Sequence, residues 1–258
     1  VFKMSFFTFN NKNDGNIHYK LSSKLEDEII LYHHLGLGDH IICNGLVNYL
    51  AENQFRKVNL IVNKKFDKSL SYLYRNSKNV NLVKVDLDYD NNADSDVLDF
   101  AAKTNLQILK IGWDKVGKTR FFKAFYKQLG LPYSYSYKYF NIDRDYKKEE
   151  QLANHLNKFY KTKMEKYNLI HSEASKGNFD LKIDNDNKNI FVTKESDILN
   201  NLFLYYSIAE KADQIHCINS SFVHFVDRIK VNSELIYHDL IGSKLDLKNK
   251  WKLVEYEN

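Results

Sequence analysis

The sequence predicts an α/β protein of two halves, each built around a parallel sheet, with a cleft between them. Short apolar runs that suit strands alternate with longer segments whose apolar side chains recur at helical spacing, which is typical of parallel sheets. An aromatic-rich stretch and a long charged helix interrupt this alternation near the middle of the chain. We therefore predict a lead-in over residues 1–27, a first half over 28–143, a connecting helix over 144–165 and a second half over 166–258.

The first half begins with the clearest local signal. Glu28–His34 is an apolar run, a glycine-containing turn follows it, and His40–Glu52 carries apolar residues at helical spacing. The elements predicted next are strands over Lys57–Val62, Val80–Val85 and Leu106–Ile111, and helices over Phe66–Asn76, Asp96–Lys103 and Arg120–Leu129. The loop after them carries tyrosines at every second position, at Tyr133, Tyr135, Tyr137 and Tyr139. These rings suit either stacking on sugars or a half-buried connecting strand.

The second half repeats the alternation after a charged helix. We predict helices over Arg144–Tyr160, Ser196–Lys211 and Ser220–Ile229, and strands over Tyr167–His171, Asn189–Thr193, Gln214–Ile218 and, as the last, Ser233–His238.

Composition excludes several classes of protein. The 258 residues are enough for one large domain or two small ones, and 43% hydrophobic with 28% charged residues is ordinary for a globular protein. No apolar run approaches the roughly 18 residues that a membrane-spanning helix needs, so we expect no transmembrane segment. Cys43 and Cys217 lie in apolar contexts, which predicts buried free thiols and a cytoplasmic location.

The basic charge does not indicate a nucleic-acid partner. The net charge is +5, but only five of the 38 basic residues are Arg, and the Lys residues are scattered through an Asn-rich background. Nucleic-acid readers cluster Arg on one face, because its guanidinium reaches guanine and phosphate in a bidentate manner. We therefore expect no nucleic-acid role.

The turn after the first predicted strand is the first candidate site. Gly36 and Gly38 allow a tight turn and a close approach of the backbone to a ligand, and Asp39 then lies near the start of the next helix. Ligands of open α/β sheets bind at this carboxyl edge. The alternative is a plain turn in which Asp39 caps the helix. Ile41 stands where a dinucleotide fingerprint requires a third glycine.

The second candidate site follows the strand Gln214–Ile218. Asn219, Ser220 and Ser221 lead directly into a helix, with His224 one turn further on. Hydroxyls and free amide groups at such a position favour an anion. The alternative is a capped helix with His224 packed in the core.

These two segments resemble sugar-nucleotide glycosyltransferases of the GT-B type, which consist of two Rossmann-like halves facing a central cleft. Gly36-Leu37-Gly38-Asp39 is similar to the first-strand turn of the acceptor half in the heptosyltransferase-like and fucosyltransferase-like branch. Asn219-Ser220-Ser221-Phe222-Val223-His224 resembles its phosphate-binding turn. A stretch of short transferase-like proteins of marine microbes is similar to Phe125-Tyr126-Lys127-Gln128-Leu129-Gly130-Leu131-Pro132. The resemblance covers roughly Glu28 to Asp239.

The resemblance implies a metal-independent glycosyltransferase without a cofactor. Asp39 would be the general base and His40 its fallback. The implied partners are a nucleotide-sugar donor and a glycan or lipid-linked acceptor, with transient association at a membrane surface. The residues that would bind the donor nucleotide are Gly36, Gly38, His171, Ser172, Lys176, Lys194, Asn219, Ser220, Ser221 and His224.

Three other interpretations stay open. An inactive nucleotide- or glycan-binding protein of the same fold would carry the same motifs. Gly112–Thr119 satisfies the P-loop pattern, but it follows the fourth predicted strand, and we find no later apolar strand ending in a magnesium-binding Asp. The acidic run of Asp86, Asp88, Asp90, Asp94 and Asp96 starts like a calcium loop, but Asn91 and Val97 occupy its glycine and glutamate positions. It therefore suits a solvated loop, and its Asp-x-Asp pairs leave a metal-dependent transferase as the third open interpretation.

Overall fold

The structure is a computed structural model that describes residues 25–87, 93–113, 120–174, 177–240, 242 and 245–256, together with the backbone of 9–10 and 17–18. The chain divides into two compact units, Val1–Asp143 and Arg144–Asn258. Both are α/β units built around parallel sheets, as the sequence predicts.

The first unit contains a four-stranded parallel sheet in the order β5-β4-β3-β6. Its strands are β3 (Glu26–Tyr32), β4 (Phe55–Asn63), β5 (Val80–Val85) and β6 (Ile108–Lys110); β1 (Phe9–Asn10) and β2 (Ile17–His18) form a separate antiparallel pair. Its helices are α1 (Leu37–Asn53), α2 (Asp67–Leu73), α3 (Asp94–Thr104), α4 (Phe121–Lys127) and α5 (Tyr135–Lys138). β3 and β6 are neighbours in register, with Tyr32 opposite Lys110. The loops that leave these two strands therefore start at the same carboxyl edge.

Helix α1 lies inside the first unit. Most of its residues are buried, including Ile41, Ile42 and Leu46, which are almost fully shielded from solvent. Gly45 lets α5 approach closely, because a Cβ at this position would lie 2.3 Å from the carbonyl oxygen of Tyr135. With most of its residues buried, the helix lacks the broad polar face that a surface helix shows.

The second unit contains a five-stranded parallel sheet in the order β10-β7-β11-β12-β13. Its strands are β7 (Tyr167–His171), β10 (Lys188–Phe191), β11 (Gln214–Cys217), β12 (Glu234–Asp239) and β13 (Trp251–Glu255); β8 (Glu173–Ala174) and β9 (Gly177–Asn178) form a small antiparallel pair. Its helices are α6 (Tyr146–Phe159), α7 (Tyr206–Lys211) and α8 (Ser221–Val226). Cys217, like Cys43 in the first unit, is a buried free thiol, as predicted.

The buried carboxylate of Asp227 holds the last strand in place. It accepts hydrogen bonds of 2.9 Å from the backbone N–H groups of Lys248 and Asn249 and from the indole N–H of Trp251. Asp227 ends α8, so these bonds join the segment before β13 to that helix. The network stabilises this arrangement, because without the carboxylate several donors would be left unpaired.

Three predicted elements are wrong. The tyrosine-rich stretch is a loop only at Tyr133 and Tyr139, which lie in turns, because α5 occupies Tyr135–Lys138. The helix predicted over Ser196–Lys211 begins only at a 3-10 turn over Leu202–Tyr205, because the Ser196 hydroxyl binds the backbone of Phe191 and the side chain of Thr193 and closes a turn instead. The strand Ser233–His238 is not the last, because β13 follows it.

Candidate functional site

The turn between β3 and α1 holds the candidate base. Gly36 is the N-cap residue of α1, and Asp39 lies in the first turn of the helix. The Asp39 carboxylate accepts a hydrogen bond from the backbone of Gly36. It also occupies the space beside Gly36, because a Cβ there would lie 2.7 Å from Asp39 Oδ2. Asp39 is therefore not the N-cap residue. Its contact with the backbone of the N-cap residue is one half of a capping box.

The environment of Asp39 makes its carboxylate a stronger base. The side chain is half-buried. Burial raises its pKa from 3.8 to about 6, and the hydrogen bond from Gly36 opposes this rise only in part. A carboxylate with a pKa near 6 is mostly ionised at neutral pH and accepts a proton more readily than an ordinary aspartate does.

His40, the predicted fallback base, lies in the core instead. Its side chain is fully buried, and neither ring nitrogen has a hydrogen-bond partner among the described residues. Its ring packs edge-on against that of His33 at 4.5 Å, and burial lowers its pKa well below 6.5. Adjacent helical residues project about 100° apart, so Asp39 stays accessible while His40 does not. The burial of His40 therefore argues against its role as a fallback base.

The loop after β6 joins the turn after β3. The Nε2–H group of His34 donates a hydrogen bond of 2.9 Å to the carbonyl oxygen of Gly112. The same ring stacks on Trp113, with centroids 4.2 Å apart. Gly112 has a φ of +87°, and a Cβ there would lie 2.1 Å from the ring of Phe125. This packing requires a glycine at position 112 for a reason other than phosphate binding.

The two alternative motifs lie partly outside the described residues. Residues 114–119 of the P-loop pattern, and Asp88 and Asp90 of the acidic run, lie outside the described residues. Asp94 forms an ion pair with Lys110, and the carboxylate of Asp96 accepts a hydrogen bond from the backbone N–H of Asp86. Over the part of the chain that the structure describes, no group of three or more His, Cys, Asp and Glu residues could hold a metal ion.

In the second unit, the carboxyl ends of β7 and β11 bring two predicted residues into contact. Ser220 Oγ lies 3.1 Å from His171 Nδ1. The His171 ring stacks on Phe222 at 5.2 Å, and burial lowers its pKa to about 4, so the imidazole is neutral. Ser220 is the N-cap residue of α8, but its side chain makes no capping bond. Its hydroxyl binds the histidine instead, which fixes its direction at the sheet edge.

The other residues predicted to bind the donor nucleotide differ in their exposure to solvent. Ser172 follows His171 and is nearly buried, whereas Asn219 is exposed. His224 is half-buried, and burial together with nearby Arg228 lowers its pKa to about 3, so it is neutral. Lys194 is exposed, three residues after the end of β10. Ser221 opens α8, and Lys176 lies outside the described residues.

The aromatic cluster at the first edge is a feature that the sequence does not predict. Trp113 and Phe121 are 41% and 50% exposed, and both contact the ring of His34. Its only signal in the sequence is a large aromatic residue directly after a predicted strand, at a position that also belongs to the P-loop pattern.

Comparison with known proteins supports the fold. No protein-family model matches the chain, and no curated protein is significantly similar to it in sequence. A solved structure described as a glycosyl transferase family 9 protein from Veillonella parvula DSM 2008 is similar in fold. The two share 11% sequence identity with a TM-score of 0.60, over 90% of this chain and 88% of that one. The two parallel-sheet units thus form a GT-B-like fold.

A membrane-spanning helix is absent from the described residues, where no helix is both long and apolar enough.

Proposed function

We propose that the chain is a glycosyltransferase that moves a sugar from a nucleotide-activated donor to a hydroxyl of a glycan or lipid-linked acceptor. The observation that carries the proposal is Asp39, a half-buried carboxylate with a raised pKa at the carboxyl edge of the first sheet. General acid–base catalysis requires such a group near the reacting hydroxyl. The fold that the chain shares with a glycosyl transferase structure supports the same assignment.

In the proposed reaction Asp39 removes the proton from the acceptor hydroxyl. The oxygen of that hydroxyl forms a bond to the anomeric carbon of the donor sugar, and the bond from that carbon to the donor phosphate breaks. The nucleoside diphosphate leaves with the electron pair, and the proton stays on Asp39 until solvent takes it. We propose that no metal ion participates, so protein groups must stabilise the charge on the leaving phosphate.

The proposed donor site is the carboxyl edge of the second sheet. The Ser220 hydroxyl and the neutral ring of His171 are held by one hydrogen bond, and Asn219 and Ser221 flank Ser220. Neutral polar groups of this kind bind sugar hydroxyls or phosphate oxygens without the cost of burying a charge. Lys194 supplies the positive charge that the diphosphate needs.

The first test is a thermal-shift panel with GDP, UDP, ADP, CMP and ATP, each with and without magnesium or manganese. A ligand at 100 times its dissociation constant adds about 2.7 kcal/mol to the free energy of unfolding. The proposal predicts stabilisation by one nucleoside diphosphate without metal, and loss of this stabilisation in the Ser220→Ala variant. Stabilisation by ATP alone, and only with magnesium, would favour a P-loop phosphotransferase and contradict the proposal.

A further inference from the structure

One face of the second sheet carries polar side chains and is covered by a segment without helix or strand. This covering segment, residues 179–187, joins β9 to β10 and is hydrogen-bonded to side chains of β11 and to the residue that follows β13. The opposite face packs on helices, since the Tyr167 hydroxyl donates to the backbone oxygen of Ile208 in α7. Both faces of a parallel sheet are ordinarily apolar, because helices cover them. The polar groups of this face must therefore find their partners in one another and in the covering segment.

Hydrogen bonds fasten the covering segment at two points. Near its end, the side-chain amide of Asn185 donates to Gln214 Oε1, and its oxygen accepts a 2.9 Å bond from the backbone of Asn187. Near its middle, the backbone N–H of Lys182 donates a 2.9 Å bond to the hydroxyl of Tyr256. Gln214 begins β11 and Tyr256 follows β13, so the two points lie on either side of β12.

A pair of buried histidines links the two fastening points. His216 Nδ1 lies 2.9 Å from His238 Nε2. At one end of the pair His216 Nε2 lies 3.1 Å from Gln214 Oε1, and at the other end His238 Nδ1 lies 2.8 Å from the hydroxyl of Tyr256. His216 is 2% exposed and His238 is fully buried. The two imidazoles are thus part of one chain of hydrogen bonds that is closed to solvent.

The ends of this chain fix the position of each proton within it. Gln214 directs Oε1 at His216, because its amide nitrogen donates a 2.6 Å bond to the carboxylate of Glu234. His216 must then donate from Nε2 and accept at Nδ1, so His238 donates from Nε2 and accepts at Nδ1. The Tyr256 hydroxyl donates to that last acceptor. Both imidazoles are neutral in this arrangement.

The chain of hydrogen bonds has no place for an additional proton. A proton on His216 Nδ1 would set two N–H groups against each other, and a proton on His238 Nδ1 would deprive the Tyr256 hydroxyl of its acceptor. Either proton would also place a charge where water cannot solvate it. Burial accordingly lowers the pKa of both histidines from 6.5 to about 4.

Charged groups around the pair come from three elements. Glu234 of β12 raises the pKa of His216, and Lys252 of β13 lowers it. From the covering segment, the ammonium of Lys182 lies over the ring of the tyrosine that ends the chain of bonds. β7 and β11 contribute neutral asparagine and glutamine amides. The covering segment also carries three exposed aspartates, Asp180, Asp184 and Asp186.

We infer that the histidine pair is a proton-operated clasp, which holds the covering segment on the second sheet at neutral pH and releases it on acidification. When the segment lifts, water reaches both imidazoles, and a hydrated histidine has a pKa of about 6.5. The released state therefore takes up protons as the pH falls below 6.5, whereas the closed state takes them up only near pH 4. Release extends to the carboxyl edge of the sheet, because the backbone N–H of Phe179 binds the carbonyl oxygen of Ser172.

The test is hydrogen–deuterium exchange of the full chain at pH 7.5 and pH 5.5, read by mass spectrometry on peptides from residues 179–187. The rates are corrected for the intrinsic pH dependence of exchange with an unfolded peptide of the same sequence. Opening of the covering segment is expected to increase about tenfold if one histidine takes up a proton, and about 100-fold if both do. Helix α6, in the same unit, should keep its protection.

Variants separate the histidines from the rest of the packing. The double variant His216→Gln/His238→Gln cannot take up protons, so its exchange should agree at the two pH values within about twofold. His155→Gln is the matched control, since His155 is a histidine of α6 in the same unit, and it should respond like the wild type. Tyr256→Phe removes one fastening point and keeps both histidines. It should exchange faster than the wild type at pH 7.5 and still respond to acid.

Three results would overturn the inference. The first is corrected exchange of the covering segment that is equal at pH 7.5 and pH 5.5. The second is an equal loss of protection in α6, which would mean that the whole unit unfolds. The third is an acid response that the double variant retains. No nucleotide or sugar is present in this experiment, so the clasp and the transferase proposal can fail independently.

Discussion

Replacement of Asp39 by Asn is expected to stabilise the fold while it removes the candidate base. Burial raises the pKa of Asp39 from 3.8 to about 6, so the folded chain holds the proton more tightly than the unfolded chain does. At about 1.4 kcal/mol per pH unit, this difference means that ionisation of Asp39 costs the folded state up to about 3 kcal/mol above pH 7. Asn keeps an amide oxygen that can accept the hydrogen bond from Gly36, so most of this cost should be recovered.

The sign of the effect follows from the direction of the pKa change. Below pH 3.8 the carboxyl of Asp39 is protonated in both the folded and the unfolded state, so its ionisation does not destabilise the fold. This destabilisation grows as the pH rises from 3.8 to about 6, and it is constant at higher pH. Urea unfolding of wild type and Asp39→Asn should therefore differ by about 2 to 3 kcal/mol at pH 8 and by less than about 1 kcal/mol at pH 4. A variant that is less stable than the wild type at pH 8 would refute the reasoning, because the charged carboxylate would then be a stabilising helix cap.

Three further predictions concern stability and pH dependence. Gly112→Ala should lower the free energy of unfolding by about 3 kcal/mol, since the φ of Gly112 is +87° and a Cβ would clash with an aromatic ring of α4. Gly130→Ala, at a φ of +66° in open space, should lower it by only about 1 to 2 kcal/mol in the same urea titration. Equal losses would contradict the packing argument. Asp227→Ala should lower the free energy of unfolding by about 3 kcal/mol, because three donors lose their acceptor. The fluorescence of Trp251 reports the unfolding. A loss below about 0.5 kcal/mol would show that β13 is held by other contacts. Turnover should fall about tenfold for each pH unit below about 6 and stay level above pH 7, and a profile without a break near 6 would exclude the candidate base.

The sequence predicts the sheets well because their strands are locally encoded. Val80–Val85 and Tyr167–His171 are strands over the predicted bounds, since each is a short, mostly apolar run between turn-formers. The glycine turn before α1 is equally local, so the position of Asp39 could be predicted. The strand Trp251–Glu255 could not be predicted, because it lies largely exposed and carries no apolar run. It is ordered by its pairing with β12 and by the hydrogen bonds of Asp227, which lies more than 20 residues earlier in the chain.

Side-chain direction inside the candidate site could not be predicted in the same way. Helix α1 is buried on most sides, so its apolar pattern does not indicate which face His40 occupies. The contact of His34 with Trp113 depends on the pairing of β3 with β6, because the two residues are 79 positions apart in the sequence. The contact of Ser220 with His171 also depends on strand pairing, between β11 and β7. The sequence indicates only that each of these two contacts lies at the carboxyl edge of its sheet.

The most direct test of the central claim compares wild type and Asp39→Asn with the nucleotide-sugar whose nucleoside diphosphate stabilises the chain. Release of the nucleoside diphosphate in the presence of the acceptor is measured at pH 8, where the wild-type carboxylate is ionised. We predict that the variant keeps the thermal stabilisation by the nucleotide and loses at least about 100-fold in turnover, the usual contribution of a general base. A variant that turns over at the wild-type rate, or a wild type that binds the nucleotide-sugar and never releases the nucleoside diphosphate, would contradict the assignment of Asp39 as the base of a glycosyltransferase.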